Sequence, residues 1–449
     1  MSDPYDLVVI GSGTAAQAAI SRLRKAGWRI AVADHRPFGG TCALRGCDPK
    51  KMLVSGEEAL DAAARMRGLG VRGDLRLDWP SLMAFKRNFT DAIPEKQERR
   101  YAEIGVDTFH GLARFVGPEA VAVNGQELAA RHVLIATGAQ PRPLNIPGED
   151  LIVTSDEFME LAELPRRVVL IGGGYIAAEF SHLAARAGAQ VTIIQRADRL
   201  LPAFDPDLVG WLMTSFETLG ITVHTDAAVT GVLRSPEGLV VQARQKQGPD
   251  LAVTADLVVH AAGRGPDLDA LDLALGNVAV ENGRLQLNDY LQSVTNAHVY
   301  AAGDAAGAGP PLTPVSSHDA KVVAANLMEG PRRRPDYRGT PSVAFTLPPI
   351  ASVGLSEDDA KRRGLRFRTN VGSTPEWFTA RRLNEHVYGH KVLIGEDDGR
   401  ILGAHLVGPA ADEVINLFGL AIRHGLTAED LKTTMFAYPT AASDIGYML

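Results

Sequence analysis

The chain has 449 residues, 45% apolar and 22% charged, with a formal net charge of −7 and a pI near 6.0. That length points to more than one domain with an ample core, and the composition is that of an ordinary soluble globular protein. The acidic balance argues against a nucleic-acid partner: the longest basic run, Arg332-Arg333-Arg334, lies between Pro331 and Pro335 and reads as a solvated linker.

The first element is a short buried strand, Leu7-Val8-Val9-Ile10, entering Gly11-Ser12-Gly13-Thr14-Ala15-Ala16 ahead of an alanine-rich helix. This is a dinucleotide fingerprint with alanine in the third glycine place. Gly11 and Gly13 let the backbone approach a pyrophosphate, and the helix start at Thr14 and Ala15 offers unpaired N–H groups and a partial positive charge. The strand from Arg29 to Ala33 ends at Asp34, placed to hydrogen-bond ribose hydroxyls.

Both cysteines of the chain follow, in Gly39-Gly40-Thr41-Cys42-Ala43-Leu44-Arg45-Gly46-Cys47-Asp48-Pro49-Lys50-Lys51. At this spacing the onset of a helix can bring the sulfurs together as a disulfide, with Pro49 suited to the first turn. A zinc site would need about four ligands and finds no second cysteine pair or histidine at ligand spacing, so no metal is expected. A static staple closing so short a loop would stabilise little. The pair therefore reads as a redox switch. With no signal segment at the start and no apolar run long enough to span a bilayer, a cytoplasmic chain without membrane contact is expected, and there a lasting disulfide is usually catalytic.

The opening unit then recurs. Val168-Val169-Leu170-Ile171 runs into Gly172-Gly173-Gly174-Tyr175-Ile176-Ala177, and the next strand is Val191-Thr192-Ile193-Ile194. Gly11 to Asp34 and Gly172 to Gln195 span the same 23 positions. One glycine cluster is a weak signal, but two with matched strand, helix and terminal position indicate two dinucleotide sites. Where the first has Asp34, the second has Gln195, then Arg196, with Arg199 close behind. A carboxylate there would repel a ribose phosphate, whereas an amide and a guanidinium accept one, which predicts NADPH over NADH. The plainer alternative makes both arginines exposed surface.

With two such units and a Cys-x4-Cys after the first, the chain resembles the flavin-dependent pyridine nucleotide-disulfide oxidoreductases, the group of glutathione reductase, lipoamide dehydrogenase and mercuric reductase. The resemblance extends to Ala136-Thr137-Gly138-Ala139, Ile146-Pro147-Gly148, Ala262-Gly263-Arg264, Tyr300-Ala301-Ala302-Gly303-Asp304 and Leu312-Thr313-Pro314-Val315. It implies an α/β fold of two Rossmann-like dinucleotide-binding domains, for FAD and NAD(P), and a C-terminal α+β dimerisation domain. Motif positions give the FAD domain as 1–150 and 268–330 with a helical segment 50–110, the NAD(P) domain as 151–267 and the interface domain as 335–449. The resemblance further implies an obligate homodimer whose active site is shared between subunits. Gly40, Thr41, Lys51, Thr137, Gly138, Gly303, Asp304 and Thr313 then join the flavin site, with Asp304 on its sugar-alcohol chain. Gly172, Gly174, Tyr175, Ile176 and Gly263 form the nucleotide site, with Tyr175 as an aromatic lid over the nicotinamide.

By the same resemblance, electrons pass from nicotinamide to flavin to the Cys42–Cys47 disulfide, the cofactor supplying the redox chemistry and the protein the alignment. Cys47 is implied as the thiolate against the flavin and Cys42 as the interchange thiol facing substrate. Lys50 or Lys51, with Glu179, matches the family's buried ion pair beside the ring; the sequence leaves open which lysine faces inward. The pattern breaks near the end. Where disulfide-reducing members have His-Pro-Thr-x-x-Glu, this chain has Tyr438-Pro439-Thr440-Ala441-Ala442-Ser443, and a phenol with pKa about 10 cannot shuttle protons as an imidazole of about 6.5 does. Asp444 is adjacent but one position on, and is expected to point elsewhere. Mercuric reductases share the tyrosine but rely on a C-terminal cysteine pair, whereas this chain ends Gly446-Tyr447-Met448-Leu449.

Three functions remain open: NADPH-dependent reduction of a disulfide or other activated sulfur species with a readily leaving thiolate, reduction of a metal ion, quinone or other acceptor, and a FAD-bound redox-sensing subunit. His386, His390, His405 and His424 are the histidines considered as substitutes for the missing acid–base pair.

Overall fold

The structure is a computed structural model that describes residues 3–449, so the first two positions of the expected first domain lie outside the described residues. Seven helices position the sites: α1 (Thr14–Lys25), α2 (Gly40–Arg45), α3 (Cys47–Arg65), α4 (Tyr175–Arg186), α5 (Pro206–Thr218), α6 (Thr313–Glu329) and α7 (Ala411–His424). Among the described residues no helix is long and apolar enough to cross a membrane.

The chain divides into two compact units. The first comprises Met1–Lys50, Ala84–Arg142 and Arg264–Tyr337. Its centre is a five-stranded parallel sheet in the order Val299–Ala301, Val133–Ile135, Leu7–Ile10, Ile30–Asp34, Asp107–His110. The strand Leu7–Ile10 is apolar at every position because both faces of the sheet are covered, as parallel sheets require. Leu7 and Val9 pack with Ala16, Ile20 and Leu23 of α1 and Val323 of α6, while Val8 and Ile10 join Phe115, Val121 and Leu128 of a three-stranded antiparallel sheet. Small residues along α1 and α6 let the two helices lie close, which brings the start of each to the same end of the sheet.

The second unit comprises Lys51–Met83, Pro143–Gly263 and Arg338–Leu449. A four-stranded parallel sheet, ordered Thr222–His224, Gln190–Ile194, Arg167–Ile171, Leu257–His260, repeats the first unit's motif with α4 as its first helix. A five-stranded antiparallel sheet, ordered Ser342–Ala344, Ile350–Gly354, Ile401–Val407, Gly389–Gly395, Phe367–Ser373, carries α7, whose Val414, Ile415, Phe418 and Ala421 face inward. By motif position the sequence separates 151–267 from 335–449, whereas by contacts 151–263 and 338–449 belong to this one unit and 264–267 and 335–337 to the first. Specific bonds join them: the Glu179 carboxylate accepts the Phe345 N–H at 2.8 Å, and buried Lys391 pairs with Asp205 at 2.8 Å.

Candidate active site

Both cysteines lie in the first unit as free thiols, Cys42 on α2 and Cys47 at the first position of α3, with Gly46 breaking the chain direction between them. Pro49 falls in the first turn of α3, where its missing N–H costs nothing. The Thr313 hydroxyl, at the first position of α6, stands 3.0 Å from Cys42 Sγ and 3.3 Å from Cys47 Sγ and can donate to either sulfur. The two sulfurs share a proton unequally. The Cys47 thiol is lowered to about 6, first by the hydrogen bond from Cys42, then by the Thr313 hydroxyl and the Lys50 charge, against partial burial and the Asp48 carboxylate. The Cys42 thiol is raised, first by that same bond to Cys47 and then by burial. Near neutral pH the pair is therefore a Cys47 thiolate beside a Cys42 thiol.

The first dinucleotide turn leads from the strand Leu7–Ile10 to α1, which starts at Gly13 without a side chain to cap it, so the first-turn N–H groups of Thr14 and Ala15 remain for an anion. Gly11 has φ +101, and a Cβ there would meet the Ala136 carbonyl oxygen at 2.3 Å. Gly40 closes over the turn: a Cβ on it would meet Gly13 Cα at 2.3 Å, and Thr41 follows it on α2. One oxygen of Asp34 accepts the Ser12 N–H at 2.9 Å and the Ser12 hydroxyl at 2.6 Å, while the other accepts the Arg36 N–H. The Thr137 hydroxyl, beside Gly138, is buried and has no hydrogen-bond partner among the described residues. Asp304 follows Gly303, whose N–H is held by the buried Asp319 carboxylate at 3.2 Å; burial raises the Asp304 carboxyl, with the Arg264 charge opposing. An uncapped helix start, a cradle that a Cβ would fill, an orphaned hydroxyl and a half-buried acid suit a dinucleotide with a polyol chain, so these residues fit FAD.

The second unit carries the matching turn. Gly172 has φ +114 and lies against the Ala261 carbonyl two residues before Gly263, and α4 starts uncapped at Gly174 with Tyr175 and Ile176 in its first turn. The space facing Gly174 is open for at least 4 Å from an added Cβ, which fits a second nucleotide. The three residues expected at the ribose phosphate separate in role. Gln195 is buried and donates to the Arg199 carbonyl at 3.3 Å, and Arg199 donates to the carbonyls of Phe204 at 2.8 Å and Pro202 at 3.0 Å, so both brace their own loop. Arg196 is exposed.

The two lysines also differ. Lys50 acts on Cys47 through its charge, whereas Lys51 belongs to the second unit, gives its ammonium to Glu58 and lies 4.6 Å over the Phe345 ring. Lys51, Glu58, Asp61, Arg65, Phe345 and Glu385 line part of a cavity of about 170 Å³. Glu179 is buried on α4. Near it Glu57 is fully buried, its carboxylate oxygens without a hydrogen bond among the described residues and Arg186 at 3.7 Å; burial pushes it up to about 8, opposed by Arg186. No feature of the sequence pattern distinguished this glutamate.

Tyr438 is 81% exposed. Ser443, at the place of the missing glutamate, bonds back to Thr440 and caps the final helical turn. Asp444 does turn away, accepting the buried Tyr388 hydroxyl at 2.7 Å. Of the four histidines, His390 is buried against Trp377 and pushed down by burial to about 4, and His405 is buried on Ser352 and lowered by burial, so both stay neutral. His386 and His424 are exposed.

Comparison with known proteins agrees with this geometry. The family model for pyridine nucleotide-disulphide oxidoreductases matches residues 5–320, and that for the dimerisation domain of the same group matches 340–448. Mercuric reductase of Staphylococcus aureus is 32% identical over 446 residues, covering 98% of this chain and 81% of that protein. Glutathione reductase of Burkholderia cepacia is 31% identical over 442 residues, covering 98% and 97%. Among solved structures, the HOCl-induced flavoprotein disulfide reductase RclA of Escherichia coli superposes with a TM-score of 0.87 at 26% identity over 99% of both chains, and its Cu(II) complex does so at 27% identity.

Proposed function

The chain belongs to the pyridine nucleotide-disulphide oxidoreductases, flavoprotein enzymes that use FAD and NAD(P)H, and from that premise we propose that it draws on NADPH to reduce a disulfide or similarly activated sulfur species at Cys42 and Cys47. Its segment 340–448 is the family's dimerisation domain, and the protein is a homodimer. Bound FAD supplies the two-electron relay between nicotinamide and dithiol.

The observation that carries the proposal is the placing of both sulfurs, Cys42 on α2 and Cys47 at the start of α3, around the one Thr313 hydroxyl at 3.0 and 3.3 Å. In the reduced protein Cys47 holds the negative charge, and Cys42, the protonated partner, is the interchange thiol. Cys42 loses its proton to solvent water and attacks one sulfur of the substrate, forming a mixed disulfide and expelling the other sulfur as a thiolate. Cys47 then attacks Cys42 Sγ, expels the second thiolate and re-forms the Cys42–Cys47 bond, so two electrons leave the dithiol and two thiolates depart. A phenol at Tyr438 is a poor proton donor near neutrality, which favours substrates whose thiols leave readily as anions. Exposed Arg196 supports the preference for NADPH, as the guanidinium free to meet a ribose phosphate. Cytoplasmic residence fits a disulfide that works by being opened.

A second reading is reduction of a soft metal ion at the same dithiol. The names of the mercuric reductases and the Cu(II) complex of RclA favour it, as does the softness of the thiolate ligands. Cys42→Ala decides: with NADPH consumption as readout, the variant loses turnover of low-molecular-weight disulfides and keeps reduction of small quinones. Disulfide turnover at the wild-type rate in Cys42→Ala would refute the proposal, and Hg(II) or Cu(II) consumption exceeding that of every disulfide tried would favour the second reading.

A further inference from the structure

We propose that Lys391, a residue of the dimerisation segment, is a positioning residue for the nicotinamide nucleotide, setting the loop 195–205 through Asp205 and the ring of Tyr175 through Phe204. The inference rests on the reading of Tyr175 as the side chain that meets the nicotinamide.

Lys391 lies in the strand Gly389–Gly395 and is 4% exposed, yet it is charged. Its ammonium reaches the Asp205 carboxylate at 2.8 Å, Asp207 at 2.6 Å and Glu357 at 3.6 Å. Burial opposes this charge, but the two aspartates hold the ammonium above its ordinary value. The other titratable group packed here, His405, is occupied by Ser352 and the Leu355 carbonyl and stays neutral. A buried ion pair is poor evidence of added stability, and its best-attested use is to fix one arrangement among several.

What this pair fixes can be traced bond by bond. Asp205 is the N-cap of α5; its Oδ1 accepts the Asp207 N–H at 3.0 Å and its Oδ2 accepts Lys391. The adjoining Phe204 is buried, gives its carbonyl to Arg199, and meets the Tyr175 ring edge-on at 5.4 Å. The same loop is tied to the glycine turn by the Leu201 N–H on the Gly173 carbonyl at 2.7 Å. The Tyr175 hydroxyl in turn bonds Ser342, on another strand of the C-terminal sheet. Along α5, the Trp211 ring lies so close to Gly389 that a Cβ there would meet it at 2.5 Å, so the helix cannot shift inward on the strand. Without Lys391 the Asp205 side chain, 4% exposed, keeps only the Asp207 N–H and loses what holds it inward, so the start of α5 is released to move toward water, taking Phe204 with it.

The test uses holoenzyme and two readouts: equilibrium binding of NADP⁺ by calorimetry, and the rate of flavin bleaching by NADPH in a stopped-flow instrument, against the rate at which the reduced enzyme is reoxidised by a disulfide. Lys391→Met weakens NADP⁺ binding and slows bleaching by about tenfold each, the scale on which a sub-ångström misplacement acts, while reoxidation stays within about twofold. Lys391→Arg restores most of both. Phe204→Leu cuts the relay at the ring contact without touching the ion pair and gives the same pattern, which keeps the test available if Lys391→Met does not fold. A lowered melting temperature with unchanged binding and bleaching in Lys391→Met and Phe204→Leu overturns the inference. Tyr175→Ala separates the two levels: if it leaves bleaching unchanged, the reading of Tyr175 fails and the inference with it, whereas slowing by Tyr175→Ala alone overturns only the inference.

Discussion

Thr313→Val removes the hydroxyl that stands between the sulfurs and keeps the side-chain shape, so it isolates one support of the Cys47 thiolate. A hydrogen bond to a charged group contributes about 1.5–3 kcal/mol, and one pKa unit corresponds to about 1.36 kcal/mol. At 3.3 Å and with Cys42 as a competing acceptor, the low end applies, and Cys47 should move from about 6 to roughly 7. The Cys42 bond, the larger support, remains. The sign follows directly: thiolate is lost as pH falls through the pKa, so raising it shifts the acid limb to higher pH. At pH 6 the thiolate fraction of Cys47 falls about fivefold, and at pH 8 it hardly changes. Alkylation of the reduced protein by iodoacetamide, followed by trypsin, reads each sulfur separately, because cleavage after Arg45 and Lys50 leaves Cys47 on its own short peptide. Superimposable pH profiles for Thr313→Val and wild type would refute the role of the hydroxyl. Preferential alkylation of Cys42 in the wild type below pH 7 would reverse the assignment of the charge.

Arg196→Ala should lower kcat/KM for NADPH by about tenfold and leave NADH within about twofold, since a partly solvated guanidinium–phosphate contact is worth about 1.4 kcal/mol or more; equal losses with both nucleotides would contradict the phosphate contact. Glu57→Gln tests a buried acid raised to about 8. Its contribution is complete below the unfolded pKa near 4.5 and is lost as pH rises toward 8, so in denaturant titrations the variant should match wild type near pH 4.5 and exceed it by about 3–5 kcal/mol near pH 8. A stability difference independent of pH would show Glu57 to be ionised throughout. Tyr438→Phe should change turnover of a disulfide with a low-pKa leaving thiol by less than about twofold, whereas a tenfold fall would make the phenol a proton donor after all.

The two strand–glycine–helix turns were legible in the sequence because the steric demand is local. Only glycine tolerates a carbonyl 2.3 Å from where a Cβ would lie at Gly11, and the strand before it is apolar on both faces. The dithiol was equally plain, as both sulfurs lie within six positions of each other. What escaped is non-local. Thr313 was assigned to the flavin's surroundings, but its place between the two sulfurs depends on a contact across 266 positions. Arg196 and Arg199 look equivalent as sequence, and only the path of the loop to Phe204 commits Arg199 to backbone carbonyls. Lys391 sits in a strand buried at every position, and its reason is an aspartate 186 positions earlier. Asp444 was read correctly as turning away, while its partner Tyr388 could not be named.

The most direct test of electron flow through the sulfurs is anaerobic titration of the holoenzyme with NADPH, with free thiols counted by alkylation at each step. The protein should take up NADPH beyond what its flavin alone consumes, with Cys42 and Cys47 both becoming alkylable in proportion to the excess. Uptake that stops with the flavin and leaves the two cysteines unreactive would contradict the account.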